Sequence, residues 1–308
     1  MSTTGSPPLR FSVIVPTFDR ADTITATLES LRSQTFREFE VIVVDDGSTD
    51  GTAEVVKGID VDRLTYRWQP NAGPSAARNL GADLAVGEYL TFLDTADQAH
   101  PDWLESFDTM IRAYGCSLVS CGADFTRDGH VVRTRLPRQL GPGAGRVIAF
   151  FRTGCFAVRR ELFWDVGGFD PALRFSEVTE LGMRIGRTVS GRPNAVTHLA
   201  RSTVSVELPA MPGRGGRATS LAYSDRRRLE TAAYILAKHE DVMASTPRLR
   251  RTYLRIAGVA SARLGDYAGA RRYFAEAWRA QPRALGELGR VAVTFVPGVR
   301  RRLWPSKS

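Results

Sequence analysis

The stretch Phe39–Gly51, Phe-Glu-Val-Ile-Val-Val-Asp-Asp-Gly-Ser-Thr-Asp-Gly, constrains the fold more than any other part of the chain. An apolar, β-branched run without alternation reads as a strand buried on both faces, the kind found in a parallel sheet covered by helices. It stops abruptly in two carboxylates and a glycine turn. Open α/β sheets bind ligands outside the carboxyl ends of such strands, so Asp45 and Asp46 stand where a sheet presents its chemistry. A solvated turn rarely needs two adjacent carboxylates at a buried strand end.

Strands and amphipathic helices alternate around this segment. Strands are predicted at Phe11–Pro16, Phe39–Asp45, Leu64–Trp68 and Glu88–Leu93. Ile24, Leu28 and Leu31 recur at helical spacing, Ala76–Ala85 reads as a helix, and Pro101 suits the first turn of the next one. This rhythm predicts a doubly wound, mainly parallel α/β sheet. Beyond residue 114 the rhythm weakens, and Cys116–Cys121, Val131–Leu136 and Cys155–Arg159 read as strands between longer loops. Gly141–Gly145 lacks the Gly-Lys-Ser/Thr ending of a P-loop and reads as a connection or lid.

The expected organisation is a disordered lead over residues 1–10, a main domain over 11–208, a Pro/Gly/Arg linker over 209–217 and a helical region over 218–308. The last region carries 18 Lys or Arg against 7 Asp or Glu, whereas the chain as a whole has a net charge of only +9. That surplus favours an anionic partner. Arg263–Pro282 resembles the second half of one tetratricopeptide repeat, but a single copy cannot build a solenoid, and a helical hairpin packed on the main domain is the better reading. Arg300–Trp304 closes a stretch with apolar residues Val291, Val293, Phe295 and Val299, a pattern suited to an anionic membrane surface. The aromatics of this region fall at helical spacing, which argues against nucleic acid.

No charged-then-apolar leader and no spanning segment is read from the sequence, and Cys116, Cys121 and Cys155 have no metal-ligand spacing. A cytoplasmic protein is expected, with access to the inner membrane face. The first strand runs into Pro-Thr-Phe-Asp-Arg and not into Gly-x-Gly-x-x-Gly, so a dinucleotide-dependent dehydrogenase is disfavoured.

Pro16-Thr17-Phe18-Asp19-Arg20, Asp45-Asp46-Gly47-Ser48, Asn71 to Gly81 with Arg78 and Asn79 inside it, and Glu88 to Asp94 occur in this order at strand ends and a helix start. Together they resemble the nucleotide-sugar-binding half of the family 2 glycosyltransferases, which have the GT-A fold, over about Phe11 to Ser205. The resemblance implies that Pro16, Thr17, Phe18, Asp45 and Asp46 hold the donor's base and ribose. It also implies that Arg78, a fixed cationic fork, faces the diphosphate.

The family's Asp-x-Asp, which ligates Mg²⁺ or Mn²⁺, corresponds here to Asp94-Thr95-Ala96-Asp97. Asp94 keeps the first position, Ala96 cannot coordinate a cation, and Asp97 is the alternative ligand. His198 is a further candidate for metal or phosphate, and His100 belongs to the helix entry. Val166–Asp170 followed by Arg174–Leu181 resembles the acceptor-side segment, in which an Asp is the general base. Val178 stands at that position, leaving Glu177 and Glu180 as candidate bases. Both glutamates also suit a first helical turn. The implied activity is inverting transfer of a sugar from a nucleotide-diphosphate donor to a hydroxyl of a saccharide, lipid-linked glycan or natural-product acceptor. The reading from a different class is a non-catalytic relative that binds a nucleotide or supports a partner transferase.

Overall fold

The computed structural model describes residues 9–139, 148–149, 152–192, 194–208, 225–283, 286–296 and 299. The chain divides into two units, one of Met1–Ala172 with Glu177–Gly213 and one of Leu173–Ser176 with Arg214–Ser308. The first unit runs β1 (Phe11–Thr17), α1 (Ile24–Arg32), β2 (Phe39–Asp45), α2 (Thr52–Gly58), β3 (Leu64–Trp68), α3 (Pro74–Leu84), β4 (Tyr89–Phe92), β5 (Asp97–Ala99) and α4 (Trp103–Tyr114). It continues through β6 (Leu118–Arg127), β7 (His130–Arg135), β8 (Arg138–Gln139), β9 (Ile148–Ala149), β10 (Phe156–Arg159), α5 (Arg160–Asp165), α6 (Glu177–Val189) and β11 (Val196–Glu207).

The main sheet has the order β3-β2-β1-β4-β10-β6-β11-β5, with β7 hydrogen-bonded to β6. The strands from β3 to β4 are mutually parallel, as the alternation of strands and helices predicts. β10 then enters antiparallel between β4 and β6, β11 runs parallel to β6, and β5 closes the edge antiparallel to β11. The doubly wound half is thus joined to a mixed half. β5 and β11 escape a sequence reading because β5 is three residues long and both gain their pairing from distant segments.

The unalternating runs are explained by two apolar layers. Val13, Val15, Val41 and Val43 face a cluster with Ile24 and Leu28 of α1, Val56 of α2, and Trp103 and Phe107 of α4. Ile14, Ile42 and Val44 point the other way, onto Ala77 and Ala82 of α3. Successive side chains of a strand point to opposite faces, so only a strand covered on both sides is apolar throughout. α3 lies very close to β1: a Cβ on Gly81 would stand 2.5 Å from the Ile14 side chain. Cys116, Cys121 and Cys155 are buried free thiols of this core, and burial pushes Cys116 up to about 11.

The second unit is helical: α7 (Asp225–Lys238), α8 (Glu240–Ser245), α9 (Pro247–Arg263), α10 (Tyr267–Ala280) and α11 (Gly286–Val293). α9 and α10 form the expected hairpin. Gly265 turns it at φ +83°, Asp266 caps α10 by accepting from the Gly269 N–H at 2.8 Å, and Gly258 lets Phe274 approach. Val291 and Val293 pack toward Ala262, Ala270 and Phe274. The sequence pattern placed them in an outward apolar face, and the correction follows from this small core. Phe295 and Val299 are exposed. Arg300–Trp304, the linker 209–217 and the loop Gly141–Gly145 lie outside the described residues. Among the described residues no helix is long and apolar enough to cross a membrane.

Candidate functional site

The carboxyl ends of β1 and β2 are bound into one ledge. The Asp46 N–H donates to the Thr17 carbonyl at 2.8 Å, and the Asp19 N–H donates to Ser48 Oγ at 2.9 Å. Asp19 in turn accepts from the Thr49 N–H at 2.8 Å, and Pro16 O accepts from Thr95 Oγ1 at 2.8 Å. Asp45 is buried and accepts from the Ser48 N–H at 2.8 Å and from the Tyr66 hydroxyl at 2.6 Å. Burial, then the bond and charge of Asp45, raise the Tyr66 pKa, so the phenol stays a donor. Thr17 is buried with Oγ1 unpartnered among the described residues, and Phe18 exposes its ring. Trp68, opposite Asp45 at the end of β3, is also exposed. Tyr66 and Trp68 were missed at the sequence level, although their strand end beside β2 was the available signal.

Asp46 was expected to meet the donor, but both of its oxygens are engaged in holding a loop. Oδ1 accepts from Gln69 Nε2 at 2.6 Å and the Ala72 N–H at 2.8 Å, and Oδ2 accepts from the Gly73 N–H at 2.8 Å. Its carboxylate fixes the segment that starts α3, and Gly47 makes the turn possible. At φ +88° a Cβ there would be strained and only 2.8 Å from the Asn71 nitrogen.

α3 carries Arg78 into the centre of the site. One terminal nitrogen donates to Asp94 Oδ1 at 2.6 Å, the other to Glu177 Oε1 at 3.0 Å, and Nε is buried without a partner among the described residues. The guanidinium lies 5.4 Å from the centre of the Phe169 ring. Burial alone would lower its pKa, but Asp94 and Glu177 more than offset this and keep it charged. Asp94 also accepts from Thr153 Oγ1 at 2.6 Å. Burial would raise the Asp94 carboxyl, but Arg78 and these hydrogen bonds hold it below its usual range. Asp94, Arg78 and Glu177, named separately from the sequence, are therefore in direct contact.

Asp97 lies at the start of β5, with Arg152 Nη2 3.0 Å from its carboxylate. Burial, opposed by Arg152 and aided by Asp94, pushes its pKa up to about 7. A divalent cation needs several oxygens free to turn toward it. Here Asp94 has both oxygens on Arg78 and Thr153, Ala96 offers a methyl group, and Asp97 faces a guanidinium. Among the described residues no group of three or more His, Cys, Asp or Glu is arranged to hold a metal ion. The donor set does not fit the Mg²⁺ or Mn²⁺ that the resemblance implies. His198 does not repair it. It pairs with Ser120, whereas Val206, the partner of Asp97, pairs with Phe125, five residues further along β6, or roughly 17 Å at strand spacing. His100 bonds to Ser205 Oγ at 3.0 Å beside the entry to α4, as expected.

The two candidate bases separate clearly. Glu180 is fully buried, and Arg184 grips both of its oxygens at 2.6 to 3.0 Å while also donating to the Val166 carbonyl. A carboxylate held this way cannot take a proton from an acceptor without breaking a buried ion pair. Glu177, at the start of α6, is partly buried and meets Arg78 through Oε1 alone, whereas Arg184 holds both oxygens of Glu180. Val178 packs against the apolar cluster behind it.

The model of glycosyl transferase family 2 matches residues 12–167. An uncharacterized glycosyltransferase, YibD, of Escherichia coli (strain K12) is 35% identical over 118 residues, which are 38% of this chain and 34% of the relative. The GalNAc(5)-diNAcBac-PP-undecaprenol beta-1,3-glucosyltransferase of Campylobacter jejuni is 42% identical over 93 residues, 29% of this chain and 30% of the relative. The match spans about a third of the length of each. Among solved structures, S. aureus TarS 1-349 in complex with UDP-GlcNAc has a TM-score of 0.60 at 18% identity and covers 95% of this chain and 90% of that one. The likeness to TarS gives the GT-A fold. Because the family model takes in β1 through the Gly-Gly turn after α5, half of the chain, the protein belongs to glycosyl transferase family 2.

Proposed function

We propose that the protein transfers a sugar, with inversion, from a nucleotide-diphosphate donor to a hydroxyl of a saccharide or lipid-linked glycan. The observation that carries this reading is the contact of Arg78 with both Asp94 and Glu177. It joins the end of a donor-side strand to the start of the helix on which an acceptor base is required. The ledge of Pro16, Thr17 and Phe18 takes the base and ribose, the exposed Phe18 ring offers a stacking face, and Asp45 and Asp46, with their oxygens engaged inside the fold, hold the ledge in shape.

The acceptor oxygen attacks the anomeric carbon. The bond from that carbon to the diphosphate oxygen breaks, and its electron pair leaves with the nucleoside diphosphate. Glu177 takes the hydroxyl proton. Its ion pair with Arg78 orients the carboxylate, and the same guanidinium stabilises negative charge on the leaving group. The Campylobacter relative is named for an undecaprenol-diphosphate-linked substrate, which favours a lipid-linked acceptor here.

Calorimetric titration with UDP, GDP and dTDP tests the donor half of this reading. One nucleotide is expected to bind in preference to the others. Donor turnover with lipid-linked acceptors then tests the transfer. Val178, packed into the apolar layer, favours a non-catalytic nucleotide-binding relative as the second reading. Tight donor binding with no turnover on any acceptor would select it.

A further inference from the structure

The place where the family's metal would sit is dominated by guanidinium groups. Arg152 donates to Asp97 at 3.0 Å, and its Nε is buried with no partner among the described residues. Its neighbour in sequence, Thr153, bonds Asp94. Arg152 is also 5.5 Å from the centre of the Phe125 ring, which Arg133 and Arg135 of β7 approach to 4.4 and 5.7 Å. Among the described residues neither Arg133 nor Arg135 has a carboxylate within ion-pair reach. Three cations gathered on one ring repel one another, and a phosphate-bearing ligand relieves that repulsion. Phe125 holds them by cation–π contact, so the arrangement is built before any ligand arrives.

We propose that Arg152, backed by Arg133 and Arg135, supplies the positive charge on the donor diphosphate that a divalent cation supplies elsewhere in the family, so that donor binding is metal-independent. This rests on the donor reading above. Arginine is well matched to a diphosphate, because its charge is permanent and its planar fork places two N–H groups on phosphate oxygens. Ala96 then needs no replacement carboxylate, because there is no metal to ligate. Arg78, with both terminal nitrogens committed to Asp94 and Glu177, orients Glu177 and adds its charge beside the leaving group, while Arg152 supplies the direct contact with the phosphates.

The test is calorimetry of the full chain with its preferred nucleoside diphosphate and the matching monophosphate, in EDTA and in Mn²⁺. Diphosphate affinity is expected to agree within about twofold between the two conditions. Arg152→Gln alone leaves Asp97 buried and unpaired, so Arg152→Gln with Asp97→Asn is the informative variant, its folding checked by circular dichroism. That pair should weaken the diphosphate about tenfold or more and change the monophosphate little, the size expected for one charge-assisted contact. Arg133→Gln with Arg135→Gln should give a smaller loss in the same direction. Diphosphate binding seen only with Mn²⁺, or unchanged in the folded double variant, overturns the inference and leaves the donor reading standing. No nucleotide binding under either condition overturns both.

Discussion

Asn79 and Phe169 exchange two hydrogen bonds of 2.8 Å, the Asn79 amide donating to the Phe169 carbonyl and accepting its N–H. The side chain of a helix residue thereby completes the backbone of a turn ninety residues away in sequence. The Phe169 ring, held in place, stacks edge-on to Phe92 at 4.9 Å and supports the Arg78 guanidinium. One asparagine sets both the turn and the position of the arginine beside it.

Asn79→Ala should destabilise the first unit by about 2–4 kcal/mol, because it leaves a buried N–H and a buried C=O unpaired. Asn79→Asp keeps the acceptor but sets a carboxylate oxygen against the Phe169 carbonyl, so at neutral pH it should cost at least as much. Urea unfolding measures both, and a near-neutral effect of either variant would contradict the reciprocal arrangement.

Glu177 and Glu180 should fail in different ways. Glu177→Gln keeps a group that accepts from Arg78 but cannot take a proton, so turnover should fall about 100-fold or more, with a smaller stability loss than in Glu180→Gln because Arg78 keeps its pair with Asp94. Glu180→Gln breaks the buried pair with Arg184 and should cost about 3 kcal/mol of stability, with turnover per folded molecule nearly intact. Paired measurements of kcat and unfolding midpoint separate the two, and a large kcat loss in Glu180→Gln would reverse the assignment.

Asp97 makes stability depend on pH with a defined sign. Its pKa is raised in the fold to about 7 from an ordinary value of 3.8. Below pH 3.8 both states hold the proton. Between there and pH 7 the folded state holds a proton that the unfolded chain has released, so stability falls as pH rises through this window. The loss is on the order of a few kcal/mol for a shift of this size. Asp97→Asn cannot titrate, so its Tm should drop less between about pH 5 and about pH 8 than that of the unaltered protein. Parallel Tm curves would refute this.

Ala96 has φ +83°, a backbone state that an L residue adopts at a cost. Its N–H bonds to Thr27 Oγ1 at 3.0 Å, which holds the loop in that state. Ala96→Gly removes the Cβ penalty and should raise stability by about 1 kcal/mol. Thermal unfolding that shows a loss would mean the methyl group makes a packing contribution larger than the strain.

The order of β1 to β4, their carboxylate-bearing ends and the family resemblance were legible from residues 11–94, because local periodicity and turn chemistry are written in consecutive residues. The same holds for the hairpin of α9 and α10. Asp45, Arg78, Asp94 and Glu177 could be named one at a time. Arg78 meeting both carboxylates, Asp46 serving the loop, and Arg184 occupying Glu180 required the tertiary fold, since each depends on which atoms meet across long stretches of chain. Arg152 shows this most clearly. In the sequence it is one arginine among many. Only the packing of β5, β7 and the segment before β10 sets it between Asp97 and Phe125, where its charge acts at short range in a site partly withdrawn from water.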